Sequence, residues 1–249
     1  MTAYRTFVGR ALRNYLLGLW DGAEDAYRRW ILDAVGRAAP ESLLDVGCHD
    51  GSWTSSVAEA AGSQLRRLCG VEIVEAAAEE ARARGIDVTT ADLNNPLPYG
   101  DGRFDLVHAN QVIEHVADLD SFVSEVRRVL APGGRAVICT ENLASWHNVA
   151  ALALGYMPFS LTNISSRGAI GNPFNLAPVP ADQVAHSWFH TRVLTAVGLA
   201  ELLELHGLRV AERFGSGYHP LPAAIAQPVA GRDVRHAAFI GVVAVRADA

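Results

Sequence analysis

The chain has 249 residues, of which 50% are hydrophobic and 19% are charged, so we expect one domain with a sizeable core. The 21 basic and 27 acidic residues give a formal net charge of −6, which argues against a nucleic-acid partner because neutralising phosphates requires a basic surface. No apolar stretch reaches the roughly 18 residues that a membrane-spanning helix needs, so no membrane partner is predicted.

Cysteine usage indicates a reducing compartment. The three cysteines are flanked by apolar residues and lie far apart in the sequence: Cys48, Cys69 and Cys139. Neither a disulfide framework nor a zinc-binding spacing can be recognised among them. Arginines interrupt the apolar pattern near the N-terminus, so no signal peptide is predicted. We therefore expect a cytoplasmic protein with buried free thiols.

The N-terminal segment, residues 4–38, has apolar side chains at helical spacing and arginines on the remaining faces. This pattern predicts a pair of helices. Two roles are open for them: a cover over the edge of a sheet, or a lid over a ligand site.

From residue 43 onward, short apolar runs alternate with amphipathic segments. The predicted strands are 43–46, 68–73, 86–90, 104–109 and 135–140, and the predicted helices are 53–61, 74–84 and 119–130. Pro132-Gly133-Gly134 is predicted to be a turn. Alternating strands and helices indicate a parallel sheet with helices on both faces.

This alternation stops after residue 140. Residues 143–190, rich in proline and aromatic residues, are predicted to form an irregular, partly helical insertion on the acceptor side. A helix over 191–206, strands over 208–214 and 239–245, and a loop over 215–231 should complete the chain. The expected fold is a single α/β domain, residues 1–249, with a doubly wound, mostly parallel seven-stranded sheet. Its cofactor-binding core spans residues 41–142.

The ends of the predicted strands carry the residues typical of a nucleoside site, which such sheets place beyond their carboxyl edges. Gly47 and Gly51 permit a tight turn with close ligand approach. Glu72, about 20 residues further on, can accept ribose hydroxyls, and Asp92 with apolar Leu93 suits an adenine. The turn holds no lysine or arginine, so a cationic sulfonium fits it better than a pyrophosphate.

Four segments carry a resemblance to a known family: Leu43-Leu44-Asp45-Val46-Gly47-Cys48-His49-Asp50-Gly51, the stretch from Asp92 to Val107, Val112-Ile113-Glu114-His115-Val116, and Val129-Leu130-Ala131-Pro132-Gly133-Gly134. They resemble motif I, the adenine loop and the post-strand motifs of class I S-adenosylmethionine-dependent methyltransferases of the small-molecule, type-11-like branch. One departure is that His49 replaces the middle glycine of the usual G-x-G-x-G.

The resemblance implies a Rossmann-like methyltransferase fold, S-adenosyl-L-methionine as cofactor and a small-molecule acceptor. It implies contacts to the methionine end, the ribose and the adenine from these residues: Asp45, Gly47, His49, Gly51, Glu72, Ile73, Asp92, Leu93 and Asn110. His49 is expected either to crowd the methionine moiety or to contact its carboxylate.

Histidines are the candidate general bases, since their ordinary pKa lies near neutrality. The candidates are His115, His147, His186 and His190, of which the last three lie in the insertion. His115 adjoins Glu114, a pair that is often structural. His186 and His190 have i, i+4 spacing, but no third ligand accompanies them in the sequence, so no metal site is predicted.

Three functions remain open. The first is methyl transfer to oxygen or nitrogen of a natural-product-like or glycan-like molecule. The second is a nucleotide-dependent oxidoreductase or epimerase. The third is a non-catalytic or atypical member of the methyltransferase fold that binds an adenosyl ligand, for which His49 is the reason. A homodimer is compatible with each of them.

Overall fold

A computed structural model of the chain describes residues 10–165, 168–175 and 189–247. The described residues form one sheet whose strands are β1 (Ser42–Val46), β2 (Arg67–Glu72), β3 (Asp87–Thr90), β4 (Phe104–Asn110), β5 (Leu130–Glu141), β6 (Leu208–Ser216) and β7 (Phe239–Arg246). The α-helices are α1 (Arg10–Ala38), α2 (Ser52–Ala61), α3 (Glu75–Ala83), α4 (Leu119–Val129), α5 (Trp146–Ala153), α6 (Ala196–Leu205) and α7 (Ala223–Arg232). Short 3-10 helices occupy Ile113–His115, Phe159–Leu161 and Val234–His236.

The strand order is β3-β2-β1-β4-β5-β7-β6, and β7 runs antiparallel to both of its neighbours. The remaining pairs are parallel. The predicted doubly wound, mostly parallel seven-stranded sheet is therefore confirmed. Because β1 pairs with β2 on one side and β4 on the other, the loops that follow these three strands emerge at the same edge.

Helices bury both faces of the sheet, which explains why the strands are apolar without alternation. On one face α1 packs through Tyr27 and Ile31 on residues that include Leu43, Leu106 and Phe239. On the other face, α4 and α6 cover the strand side chains that point away from α1. The resulting core cluster is the larger of the two and includes Leu44, Val107, Phe122, Val126, Ile138, Leu199 and Leu203. The sheet and its edge are thereby held rigid beneath the loops.

The predicted N-terminal pair of helices is wrong for the described residues, since α1 is continuous from Arg10 to Ala38. Gly18 and Gly22, which are poor helix formers, do not interrupt it. A Cβ added at Gly22 would lie 3.1 Å from the Cβ of Ala223, so this glycine lets α1 approach α7 closely.

Three further elements differ from the sequence prediction. The helix predicted over 191–206 begins only at Ala196, where the side chain of Thr195 caps α6 by accepting the N–H of Gly198. Residues 215–231, predicted to be a loop, contain the last two residues of β6 and most of α7. Burial of Ala226 and Ala230 stabilises this helix despite Pro228 in its interior. The strand β5 begins at Leu130 rather than 135, because the Pro132-Gly133-Gly134 stretch is a register shift within the pairing to β4.

Gly51 allows a stability test of the turn after β1. Its φ is +77°, and an added Cβ would lie 2.6 Å from Ile86 Cδ1 and 2.9 Å from Ala81 Cα. We predict that Gly51→Ala lowers the free energy of unfolding by about 2–4 kcal/mol, because it combines backbone strain with overpacking. Chemical denaturation measures this loss.

Gly85→Ala is the matched control, because Gly85 has φ +88° but nothing lies within 4 Å of the added Cβ. It should cost only the backbone term, about 1–2 kcal/mol. Equal losses in the two variants would show that the turn does not pack tightly against α3.

Candidate cofactor and acceptor site

The turn between β1 and α2 has the open backbone that the glycine pattern predicted. Gly47 and Gly51 have φ of +74° and +77°, and a Cβ at Gly47 would lie 2.6 Å from Val112 Cγ2. His49 also adopts a positive φ, +48°, and its side chain is 69% exposed. The turn therefore accommodates a histidine at the middle position without burying the imidazole.

Asp45 is buried, and its carboxylate is satisfied inside the protein. One oxygen accepts a hydrogen bond from Thr54 Oγ1 at 2.5 Å, and the other lies 2.6 Å from His108 Nδ1. Asp45 and His108 are register partners in the β1–β4 pairing, which explains their contact. The Asp45 side chain thus fixes α2 and β4 at the site, and its backbone is the part available to a ligand.

Glu72 ends β2 with a buried carboxylate that joins two loops. Its Oε2 accepts the His49 backbone N–H at 2.9 Å, and its Oε1 accepts those of Ile73 and Val74 at 2.9 and 2.8 Å. A carboxylate has about four acceptor sites, so one remains on Oε2. Glu72 therefore holds the turn in place and retains capacity for one further donor, such as a ribose hydroxyl.

The predicted adenine-side residues lie beside this position. Asp92 is half-buried and its Oδ1 accepts the backbone and side-chain N–H groups of Asn94, which shapes the loop after β3. Leu93 packs on the larger core cluster, whereas Ile73, directly after Glu72, is 45% exposed. An apolar side chain left exposed beside a buried carboxylate suits the flat face of a base.

At the end of β4 two buried polar atoms have no hydrogen-bond partner in the described part of the chain. They are Oδ1 of Asn110 and Nε2 of Gln111, and Gln111 also has a positive φ of +54°. Unsatisfied buried polar groups are rare and mark places where a ligand or water is expected. The sequence singled out Asn110 but not Gln111, whose only signal is its position next to Asn110.

A second polar group lies at the ends of β4 and β5. Glu114 is fully buried and accepts a hydrogen bond from Thr140 Oγ1 at 2.9 Å. His115 Nδ1 faces the Phe189 carbonyl at 3.1 Å, and His190 Nδ1 faces the Ser160 carbonyl at 2.7 Å. The two imidazole rings are 4.9 Å apart, so candidates that are 75 residues apart in the sequence lie together.

Burial shifts the protonation equilibria in this group. Desolvation raises the pKa of Glu114 to about 7 and lowers that of His115 to about 4. Glu141, at the end of β5, is buried beside them, with its Oε2 3.6 Å from His190 Nδ1. The ends of β4 and β5 thus carry two carboxylates and two imidazoles.

His147 lies apart from this group, in the first turn of α5. Its ring centroid is 5.4 Å from that of Phe159 and 5.0 Å from that of His219, whose Nε2 faces the Leu19 carbonyl of α1. Burial lowers the pKa of His147 to about 3, so this imidazole stays neutral at neutral pH and is a weak proton acceptor. His186 lies outside the described residues.

Comparison with known proteins assigns this arrangement to a family. A family model described as a methyltransferase domain matches residues 19–213, which is more than half of the chain. A probable S-adenosylmethionine-dependent methyltransferase of Mycolicibacterium smegmatis is 32% identical over 217 residues, covering 86% of this chain and 67% of the relative. The chain belongs to the S-adenosylmethionine-dependent methyltransferase family. The predicted family is confirmed, and its cofactor is S-adenosylmethionine.

Other relatives extend this comparison. A ubiquinone biosynthesis O-methyltransferase of a Caulobacter strain is 29% identical over 80% of this chain and 72% of its own length. Two further relatives are matched over only 34% and 35% of their lengths. The crystal structure of an S-adenosylmethionine-dependent methyltransferase from Mesorhizobium loti has a TM-score of 0.55 at 23% identity, covering 86% of this chain and 96% of that one, and it shows the same fold.

The residues at the carboxyl edge of this methyltransferase fit the family's cofactor. Glu72 has a free acceptor site, Ile73 offers an apolar surface, and Asn110 and Gln111 have unsatisfied polar atoms. Among the described residues, Arg84 reaches the first turn, where its guanidinium is bound to Asp50. When bound, S-adenosylmethionine supplies an electrophilic methyl group on a sulfonium.

No helix within the described ranges is both long and apolar enough to cross a bilayer.

His147 generates a pH-dependent prediction for stability. Because its folded-state pKa is about 3 and that of an unfolded histidine is about 6.5, the unfolded chain binds the extra proton between these values. Stability therefore falls as the pH decreases below 6.5. In His147→Gln the loss of unfolding free energy between pH 7 and pH 5 should be smaller than in the wild type by about 1–2 kcal/mol.

Urea denaturation at the two pH values measures this difference. His236→Gln is the control, because its ring pairs with the half-buried Asp233 at 2.8 Å instead of lying in an apolar environment. An identical pH dependence in the wild type and His147→Gln would contradict the placement of a neutral His147 in the protein interior.

Proposed function

We propose that the chain transfers the methyl group of S-adenosylmethionine to oxygen or nitrogen of a small-molecule acceptor. The observation that carries the proposal is Glu72, which is fixed at the end of β2 by three backbone N–H groups beside the Gly47–Gly51 turn, with an acceptor site remaining. In this proposal Glu72 binds a ribose hydroxyl, Ile73, Asp92 and Leu93 surround the adenine, and the backbone near Asp45, Gly47 and Asn110 binds the methionine end.

The acceptor would lie over the ends of β4 and β5, next to the methionine end of the cofactor. Among the described residues, α1 approaches this edge through Trp20, which packs on Phe239 beside Glu141, and the chain around His190 approaches it through the contact with Glu141. The helix α5, with His147, follows β5 directly in the sequence. We propose His115, His147 and His190 as the acceptor-side histidines, with His186 a further candidate outside the described residues. The name of the Caulobacter relative, an O-methyltransferase, supports an oxygen acceptor. The aromatic-rich insertion supports a natural-product-like or glycan-like molecule as the acceptor.

The cofactor choice separates this proposal from the alternatives. Isothermal titration should show binding of S-adenosylmethionine and S-adenosylhomocysteine, while NAD should not bind, because the turn offers no free cation to a pyrophosphate. Tight NAD binding without adenosyl-ligand binding would favour the oxidoreductase or epimerase hypothesis. Release of S-adenosylhomocysteine on incubation with a panel of hydroxylated and amino compounds distinguishes an active enzyme from a non-catalytic family member.

Glu72→Gln tests the ribose contact. It keeps the size of the side chain but removes the charge that strengthens a hydrogen bond from a ribose hydroxyl, an interaction worth roughly 1.5–3 kcal/mol. It also leaves a single acceptor oxygen for the three backbone N–H groups that Glu72 binds. We predict that the Kd for S-adenosylmethionine rises about 10- to 100-fold, as measured by isothermal titration. Glu79→Gln, on the exposed side of α3, is the matched control and should leave the Kd unchanged. An unaltered Kd in a folded Glu72→Gln variant would place the ribose elsewhere.

A further inference from the structure

The cluster of Glu114, His115 and His190 has the composition of a cation site. Each residue offers one ligand atom, and these three atoms lie within 4.8 Å of one another. The three residues come from two separated segments: Glu114 and His115 from the 3-10 helix after β4, and His190 from the chain before α6. The fold therefore assembles the cluster, and no local sequence spacing announces it.

In both imidazoles Nδ1 lies against a backbone carbonyl, as is common for histidines that bind metals through Nε2. A ring nitrogen that faces a carbonyl oxygen has to carry the proton, so Nδ1 of His115 donates to Phe189 and Nδ1 of His190 donates to Ser160. In the neutral ring this leaves Nε2 with a lone pair. Donation by one ring nitrogen to a backbone carbonyl is the arrangement that fixes the tautomer and orientation of histidine ligands.

The carboxylate of Glu114 gives an independent indication of a ligand. Its Oε2 is held by Thr140, but its Oε1 is buried without a hydrogen-bond partner among the described residues, and the side chain has no solvent exposure. The neighbouring Glu141 has a buried Oε2 that makes no hydrogen bond among the described residues and lies 3.6 Å from His190 Nδ1. Two carboxylates with unsatisfied oxygens and two lone pairs on nitrogen form a site that lacks positive charge.

We propose that Glu114, His115 and His190 bind one divalent transition-metal ion. Two imidazoles and one carboxylate favour zinc, manganese, iron or cobalt over calcium and magnesium, which prefer oxygen ligands. At metal–ligand distances of about 2.1 Å, tetrahedral ligand atoms lie about 3.4 Å apart, so ligand atoms that now lie within 4.8 Å of one another have to approach by up to about 1.4 Å on binding.

Three protein ligands leave coordination positions open, and here they would face the ends of β4 and β5. An acceptor oxygen bound at such a position would be held and made more acidic by the cation. This part of the inference rests on the proposed function and points to an oxygen acceptor. Metal binding itself does not depend on it and can be measured without an acceptor or a cofactor.

The test uses the full chain without a histidine tag, stripped with a chelator and titrated with Co²⁺ while its visible d–d absorption is recorded. We expect one equivalent to bind with a micromolar Kd or tighter. Three conservative variants remove one ligand each: Glu114→Gln, His115→Asn and His190→Asn. In the two histidine variants, the asparagine side chain can keep the N–H that donates to the backbone carbonyl, while the Nε2 ligand atom is lost. Each should weaken Co²⁺ binding by about 100-fold or more.

His206→Ala is the matched control, since His206 also pairs with a carboxylate, that of Asp120 at 2.9 Å, but on the surface. It should bind Co²⁺ like the wild type. The melting temperature of each metal-free variant verifies folding, and titration with S-adenosylmethionine verifies that the cofactor site is intact.

Absence of stoichiometric Co²⁺ binding in the wild type, or undiminished binding in the three folded variants, would overturn the metal site. Either result would leave the proposed function untouched if S-adenosylmethionine still binds. Loss of S-adenosylmethionine binding in the wild type would instead contradict the proposed function.

Discussion

Parallel pairing of β1 with both β2 and β4 is the constraint on which the rest of the site depends. It brings the turn after Val46, the carboxylate of Glu72 and the amide of Asn110 to one edge of the sheet. The same pairing places Asp45 beside His108, and their buried contact helps to hold the turn between β1 and α2 in place. Helices on both faces bury the strands, and the loops at the carboxyl edge can vary without disturbing this frame.

The share of carboxylate and amide oxygens that are hydrogen-bonded within the protein falls along this edge, from Asp45 through Glu72 to Asn110 and Glu114. Asp45 has both oxygens bound within the protein, and Glu72 has three of about four acceptor sites filled. Asn110 and Glu114 each retain a buried oxygen without a partner in the part of the chain that the structure describes. Since leaving such atoms unsatisfied costs free energy, this edge is organised for ligands more than for stability.

The sequence predicted the fold well where periodicity and glycine pattern determine it. Strand ends at Val46, Glu72 and Asn110 could be located to within one residue because buried parallel strands are apolar and end in polar residues or glycine. It failed for α7, because the prolines and glycines of residues 215–231 resemble a loop when their packing against α1 is unknown. It also divided α1 into two helices, because glycines break isolated helices but allow close helix contacts in a folded protein.

The sequence predicted less of the acceptor side than of the cofactor side. Glu72 and the Gly47–Gly51 turn follow strands directly, so their neighbours could be inferred from topology. The meeting of His115 with His190 requires the path of the insertion, which no spacing rule gives. Likewise, the low pKa of His147 depends on its burial near Phe159 and His219, which belong to other segments of the chain. Contacts between distant segments are therefore what the structure adds.

The most direct test of the account is a crystal structure of the chain with S-adenosylhomocysteine bound. We predict that a ribose hydroxyl lies within hydrogen-bond distance of Glu72 Oε2, that the adenine lies against Ile73 and Leu93, and that the sulfur faces the ends of β4 and β5. A nucleoside bound away from the carboxyl edges of β1 and β2, with Glu72 still occupied only by its backbone partners, would contradict it.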